Sequence, residues 1–196
     1  MIYEPEFMIR LQSTLRSALP AWNMPSDATL TLLSISENAT YLVENPADGA
    51  RLVMRMQRPE YHSDAEIESE LAWVGALRSS GLVHTAEPLR TTSGQWINKV
   101  VDGDITHRIT AFSFVQGAEP ALDEDLAGWY RVLGATNARL HQHSRTWQQP
   151  EGFVRKQWNF DTLIGPTPHW GDWRQAAGLS SQDIALLETV QAQLLS

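Results

Sequence analysis

The sequence predicts an α+β fold: an antiparallel five-stranded sheet with one main helix, followed by a helical region. Three observations point to it. Short apolar runs separated by turn residues fill positions 29–57, and strands joined by connections this short pair antiparallel. A helix with both a start and a stop signal follows over positions 63–81. Beyond Pro120 the apolar spacing changes from alternation to the helical period.

Each element has a local reason. Phe7, Leu11, Leu15 and Leu19 stand four residues apart, which gives residues 5–19 one apolar helical stripe, and Pro20 ends it. Thr29 to Ile35 and Thr40 to Glu44 read as strands around the polar loop Ser36-Glu37-Asn38. Asn45-Pro46-Ala47-Asp48-Gly49 is a turn sequence leading into a third strand, Leu52-Val53-Met54-Arg55-Met56. Arg55 shares a face with Val53, while Leu52, Met54 and Met56 occupy the other. Both faces are apolar, as in a central strand covered on both sides.

The main helix opens on Ser63-Asp64-Ala65-Glu66, a capping box in which Ser63 and Glu66 satisfy each other's end amides. Gly81 supplies the left-handed residue that closes it. Two more strands are expected around Glu87–Thr92 and Ile109–Val115. Gln116-Gly117 and Pro120 then mark the expected boundary between a domain over 1–116 and a helical one over 117–196. A helix is expected from Leu122 to about Gln142. An aromatic, loop-rich stretch spans 147–179, and a last helix, capped by Ser180 or Ser181, runs to the chain end.

The bulk composition excludes several classes. The chain has 196 residues, 42% hydrophobic and 19% charged, an ordinary balance for a globular protein. A net charge of −8 argues against a nucleic-acid partner. No apolar run is long enough to span a bilayer, so no membrane partner is expected. The absence of cysteine excludes disulfides and thiolate–metal sites and fits a cytoplasmic location. Asn38-Ala39-Thr40 matches a glycosylation sequon, but the start of the chain is acidic where a secretory signal would be basic.

Two charged residues stand out. Arg55 lies within an apolar strand, and Glu70 lies on the helix stripe formed by Ile67, Leu71, Val74 and Leu77. A guanidinium set in apolar surroundings keeps its proton and needs a fixed anion nearby. The alternative is an acid at the edge of the stripe and an arginine that snorkels to water. Elsewhere, His141 and His143 are two residues apart, a poor spacing for shared metal ligation on a helix. Asp123-Glu124-Asp125 suits a helix start, where acids favour the dipole.

The order strand, turn, strand, basic strand, acidic helix, two strands and Gly/Pro break resembles a protein-kinase-like N-lobe. More narrowly, the chain resembles the aminoglycoside phosphotransferase and homoserine/choline kinase-like family, whose members phosphorylate small-molecule hydroxyls. The resemblance covers about residues 29–196. It is carried by Leu52 to Pro59, Ile67 to Trp73, Phe112 to Gly117, Leu133 to His141 and Pro166 to Trp173. It implies that Arg55 contacts the phosphates of ATP and that Glu70 orients it. Ser36 and Asn38 would cover the phosphates in place of a glycine-rich loop, although a plain β-turn accounts for them equally. Phe114, Val115 and Gln116 would form the hinge that meets the adenine edge, or serve only as a lobe linker.

The family also carries a His-Gly-Asp-like catalytic loop and a later aspartate for magnesium, and nothing between Trp147 and Ser196 matches them. No catalytic residue or metal ligand can therefore be assigned. The expectation is a truncated ATP-dependent phosphotransferase with an incomplete helical C-lobe, inactive alone and using Mg²⁺ only if the missing half is supplied. It would bind nucleotide, and it would form a homodimer or take a completing partner over its uncovered C-lobe surface. The alternatives are a non-catalytic nucleotide-binding or protein-interaction module, or an unrelated α+β ligand-binding protein.

Overall fold

The four-residue apolar stripe becomes the first helix, α1 (Pro5–Ala18), in the computed structural model, which describes residues 5–118, 120–121 and 123–194. Leu11, Leu15 and Ala18 are buried along one side of it. A single 3-10 turn, Leu19–Trp22, ends it at Pro20, and Asn23 follows in the left-handed conformation. By packing, the chain divides into two units, Met1–Val154 and Arg155–Ser196.

The first unit is built on β1 (Thr29–Ile35), β2 (Asn38–Glu44), β3 (Arg51–Gln57), α2 (Asp64–Ser80), β4 (Pro88–Leu89), β5 (Asn98–Asp102), β6 (Ile105–Ser113) and α3 (Leu126–Thr146). All strand pairs are antiparallel, in the order β1-β2-β3-β6-β4, with β5 also on β6. The alternation in β3 sorts its side chains as expected. Leu52, Met54 and Met56 are buried, while Val53 and Arg55 are half-buried on the opposite face. The buried set meets Leu11, Leu15, Ala18 and Leu19 from the α1 side and Tyr41, Val43, Ile109 and Ala111 from the sheet.

The sheet has six strands where the sequence predicts five, and the additional one is β5. Its signal was a Gly-Asp pair flanked by short apolar runs. Asp102 pairs with Ile105 across Gly103-Asp104, and Gly103 takes a φ of 61°. A two-residue loop that opens with glycine suits the right-handed twist of a hairpin. The strand expected over Glu87–Thr92 shrinks to Pro88–Leu89. Proline gives no ladder donor, and Thr91 to Gln95 close a tight turn of their own.

Helix α2 has the borders read from its sequence. The Glu66 amide donates to the Ser63 hydroxyl at 3.2 Å, the Ser63 amide donates to the Glu66 carboxylate at 2.8 Å, and Gly81 closes the helix at φ 67°. Helix α3 begins at Leu126 with Asp125 as its cap. The expected start at Leu122 lies outside the described residues. Much of α3 is solvent-facing, with Trp129, Tyr130, Val132 and Leu133 all exposed.

The second unit contains a short helix, α4 (Phe160–Leu163), a 3-10 turn at Trp173–Gln175, and α5 (Ser181–Leu194). Ser180 is the cap of α5: its hydroxyl accepts from the Asp183 amide at 3.2 Å while its own amide donates to Asp183 at 2.9 Å. The expected end of this helix, Leu195-Ser196, lies outside the described residues. Gly165 is obligatory, since a Cβ there would sit 2.4 Å from the Cα of Asp161. The aromatic segment packs on itself, with the rings of Trp158 and Trp170 stacked at 5.8 Å and His169 edge-on to Trp158 at 5.4 Å. Among the described residues, no helix is long and apolar enough to cross a membrane.

Burial of His107 on the α1 side of the sheet lowers its pKa; the nearby Asp102 raises it and Arg10 lowers it. The folded state therefore prefers the neutral ring, and the unfolded chain binds more protons once pH drops below about 6.5. That contribution to stability is fully present above the unfolded value and is lost as pH falls toward the folded one. The urea midpoint is expected to fall between about pH 7.5 and pH 5.5, and to fall less in His107→Asn. Identical pH profiles for the two proteins would remove His107 from the account.

Candidate functional site

Strand β3 runs between β2 and β6, so Arg55 stands opposite Thr40 on one side and Thr110 on the other. Its guanidinium leaves the sheet on the face away from α1 and meets Glu70 of α2, with Nη2 2.8 Å from Oε1. The two side chains are 20% and 24% exposed, so water screens the pair only partly. The guanidinium also lies over the Phe112 ring, 5.0 Å from its centroid. Planar arginine tolerates such stacking because it is weakly hydrated.

The contact with Glu70 is close but does not lie along an N–H axis. Arg55 Nε and Nη2 are buried donors with no aligned acceptor among the described residues. Unmet buried donors are rare in folded proteins and need a reason. An incoming anion would supply oxygens to this guanidinium, and Glu70 would hold it in place meanwhile.

Glu70 is presented by a helix fixed at both ends. Ile67, Leu71 and Leu77 are its buried apolar residues. At its C-terminal end Arg78 donates to the Thr85 carbonyl and pairs with Glu87 at 3.5 Å. In the middle, the Ser69 hydroxyl accepts from the Val154 amide at 2.9 Å.

The β1–β2 turn carries the other residues expected at phosphates. The Ser36 amide donates to the Asn38 carbonyl at 3.1 Å, a tight hairpin closure. Glu37 at its tip faces Arg58 at 3.4 Å, which ties the turn to the end of β3. Asn38 stands opposite Gln57, and Asn38 Oδ1 and Gln57 Nε2 are both buried without a hydrogen-bond partner among the described residues. Gln57 was not singled out from the sequence. The available signal was an amide in a strand interior two residues past Arg55, hence on the same face.

Phe114, Val115 and Gln116 leave the sheet at the other end, directly after β6. Phe114 lies beneath the Arg51 guanidinium, 4.3 Å from ring centroid to Cζ, whereas Val115 and Gln116 are exposed. Ser113 is opposite Leu52, so Phe114 to Gln116 start about three β3 residues from Arg55, or about 10 Å along the strand. The β1–β2 turn begins about 7 Å farther on. Along β3 the order is thus the segment Phe114 to Gln116, the guanidinium and the polar turn. Phe112, beside Arg55, is a second residue whose place in this row came only from the register.

The two histidines of α3 differ in burial. His143 is buried and stacks on Trp147 at 6.0 Å, while His141 two positions earlier is exposed. Among the described residues, no three or more histidine, aspartate or glutamate side chains gather as a metal site.

A half-buried arginine on the third strand, met by a helix glutamate above an antiparallel sheet, is the arrangement of a kinase-like phosphotransferase. The model of the phosphotransferase enzyme family called APH matches residues 29–195, and the chain belongs to that family. It is similar to the solved structure of a microcompartment-associated aminopropanol kinase, with 35% identity and a TM-score of 0.80 over 92% of this chain and 55% of that one. The amicoumacin kinase hAmiN, solved in complex with AMP-PNP, Ca²⁺ and Ami, shares the fold at 17% identity, with a TM-score of 0.66 over 98% of this chain and 53% of that one. The chain thus spans about half the length of the kinases it matches. No curated protein matches it at comparable significance.

Proposed function

We propose that this chain is the nucleotide-binding half of an ATP-dependent kinase acting on a small-molecule hydroxyl, with an amino alcohol as the favoured acceptor. The observation that carries this reading is the Arg55–Glu70 pair, a guanidinium held at 2.8 Å by a helix carboxylate while two of its donors lack aligned acceptors among the described residues. Arg55 would neutralise the α/β-phosphates, and Glu70 would keep the guanidinium from swinging into solvent. Asn38 Oδ1 and Gln57 Nε2 bring a further unmet acceptor and donor beside the β1–β2 turn. Phe114 to Gln116 would offer backbone groups to the adenine edge. When bound, ATP supplies the γ-phosphoryl group to be transferred.

The described residues do not fit magnesium, since no cluster of metal-capable side chains stands near Arg55. We infer that the catalytic base and the Mg²⁺ ligands come from outside this sequence. On that reading the chain alone binds ATP without passing on its phosphate. The amino-alcohol assignment leans on the aminopropanol kinase, whose identity of 35% is well above the 17% of the amicoumacin kinase.

Calorimetric titration with Mg·ATP tests the nucleotide claim directly. Saturable binding is expected, with a thermal upshift that grows with ligand as mass action requires. A flat titration up to millimolar ATP would end the nucleotide reading. Steady ATP consumption with 1-amino-2-propanol by the chain alone would overturn the inference that transfer needs residues from elsewhere.

A further inference from the structure

Helix α2 buries Ile67, Leu71 and Leu77 against its surroundings. The main core cluster gathers residues from the α1 side and the sheet, and none of Ile67, Leu71 or Leu77 belongs to it. Polar tethers add to this burial in fixing its position over the sheet. One of them is at its N-terminus, where Asp64 Oδ2 lies 2.5 Å from Lys99 Nζ and Asp64 Oδ1 lies 2.5 Å from Arg108 Nε.

Lys99 and Arg108 are direct cross-strand partners on the β5–β6 hairpin. Like charges placed opposite each other repel, and this lowers the stability of a hairpin. One carboxylate between them removes that repulsion and joins hairpin to helix in the same step. The Asp64 carboxyl is held below its usual range, first by the Lys99 hydrogen bond and then by Arg108, against some desolvation. Strand β6 also carries Thr110 and Phe112, which flank Arg55. The clamp thus ties the helix that holds Glu70 to the strand beside the arginine that Glu70 meets.

We propose that Asp64 is a positioning residue: its grip on Lys99 and Arg108 sets the height of α2 over the sheet and so keeps Glu70 within reach of Arg55. The effect on ligand rests on the nucleotide reading above; the effect on the helix does not.

Two variants separate the clamp from a plain helix-end effect. Asp64→Asn keeps shape and leaves the Ser63–Glu66 capping box intact, so the helix still starts. The double variant Lys99→Met with Arg108→Met removes the grip but keeps the Asp64 charge at the helix N-terminus, where it favours the dipole by itself. Hydrogen exchange of the full chain should show amides 68–74 about five-fold less protected in both, a coupling typical of linked groups. Mg·AMP-PNP affinity should fall by about the same factor, with Asp64→Glu restoring part of it. In a Glu70→Gln background, Asp64→Asn should no longer change that affinity, since the clamp acts through Glu70.

Unchanged exchange in the double variant, with loss only in Asp64→Asn, would overturn the clamp and leave a helix-dipole effect. Undiminished sensitivity of affinity to Asp64→Asn in the Glu70→Gln background would also overturn it. If the unmodified chain fails to bind Mg·AMP-PNP, the nucleotide reading fails, and the exchange measurement still decides the clamp.

Discussion

Arg55→Met is expected to abolish the thermal upshift given by Mg·ATP and to weaken nucleotide binding by about ten- to a hundred-fold, the range set by hydrogen bonds to a charged group. Methionine preserves the length and apolar stem of the side chain, so packing between β2 and β6 survives. What goes is the fixed positive charge 2.8 Å from Glu70 and over the Phe112 ring. Arg55→Lys keeps a cation in reach but gives up the planar fork, and it should retain part of the affinity. Glu70→Gln should weaken binding less than Arg55→Met, because Glu70 acts on the phosphates only through Arg55. Parallel titration of the three variants checks this order. Full affinity in Arg55→Met would move the phosphate site elsewhere on the sheet.

Leu15→Ala is expected to give the largest loss of stability among single changes in α1. Leu15 is fully buried, in the cluster that also holds Met54, Met56 and Ile109. Truncating a leucine in such a place costs about 2–5 kcal/mol, the spread depending on how far the surroundings collapse into the cavity. For a chain of this size that corresponds to a fall of roughly 5–15 °C in unfolding midpoint. Urea and thermal melts of the purified variant measure it. A loss below about 1 kcal/mol would mean that α1 adds little to the sheet beneath it.

The two experiments probe opposite faces of one strand. The face bearing Met54 is closed by α1 and serves the fold. The face bearing Arg55 is only half-closed and leaves donors unmet, which is affordable for a protein only where a ligand or a neighbouring group can complete them.

How far each feature could be read in advance follows from the range of the interaction behind it. Alternation in Leu52 to Met56, the Ser63–Glu66 capping box, Gly81 and the Ser180 cap depend on residues within a turn of one another, and each stands where its local chemistry places it. The meeting of Arg55 with Glu70 was legible because each broke the apolar pattern of its own element. Strand β5 was not legible in the same way: it is five residues long, and Val101 on its outer face is 70% exposed. Only pairing with β6 makes it a strand. The strand expected over Glu87–Thr92 failed for the opposite reason, since local turn bonds from Thr91 outcompeted the ladder.

The sequence by itself determined the antiparallel meander, the capped main helix, the family and the two charges that define the candidate site, because periodicity and end-capping act over a few residues. Tertiary structure alone decided the rest. Register placed Phe112 beside Arg55, Gln57 opposite Asn38, and Lys99 beside Arg108 where Asp64 can grip both. Those contacts join residues as far apart as 57 positions in the chain (Phe112 and Arg55), and no local pattern encodes which distant strand will lie alongside.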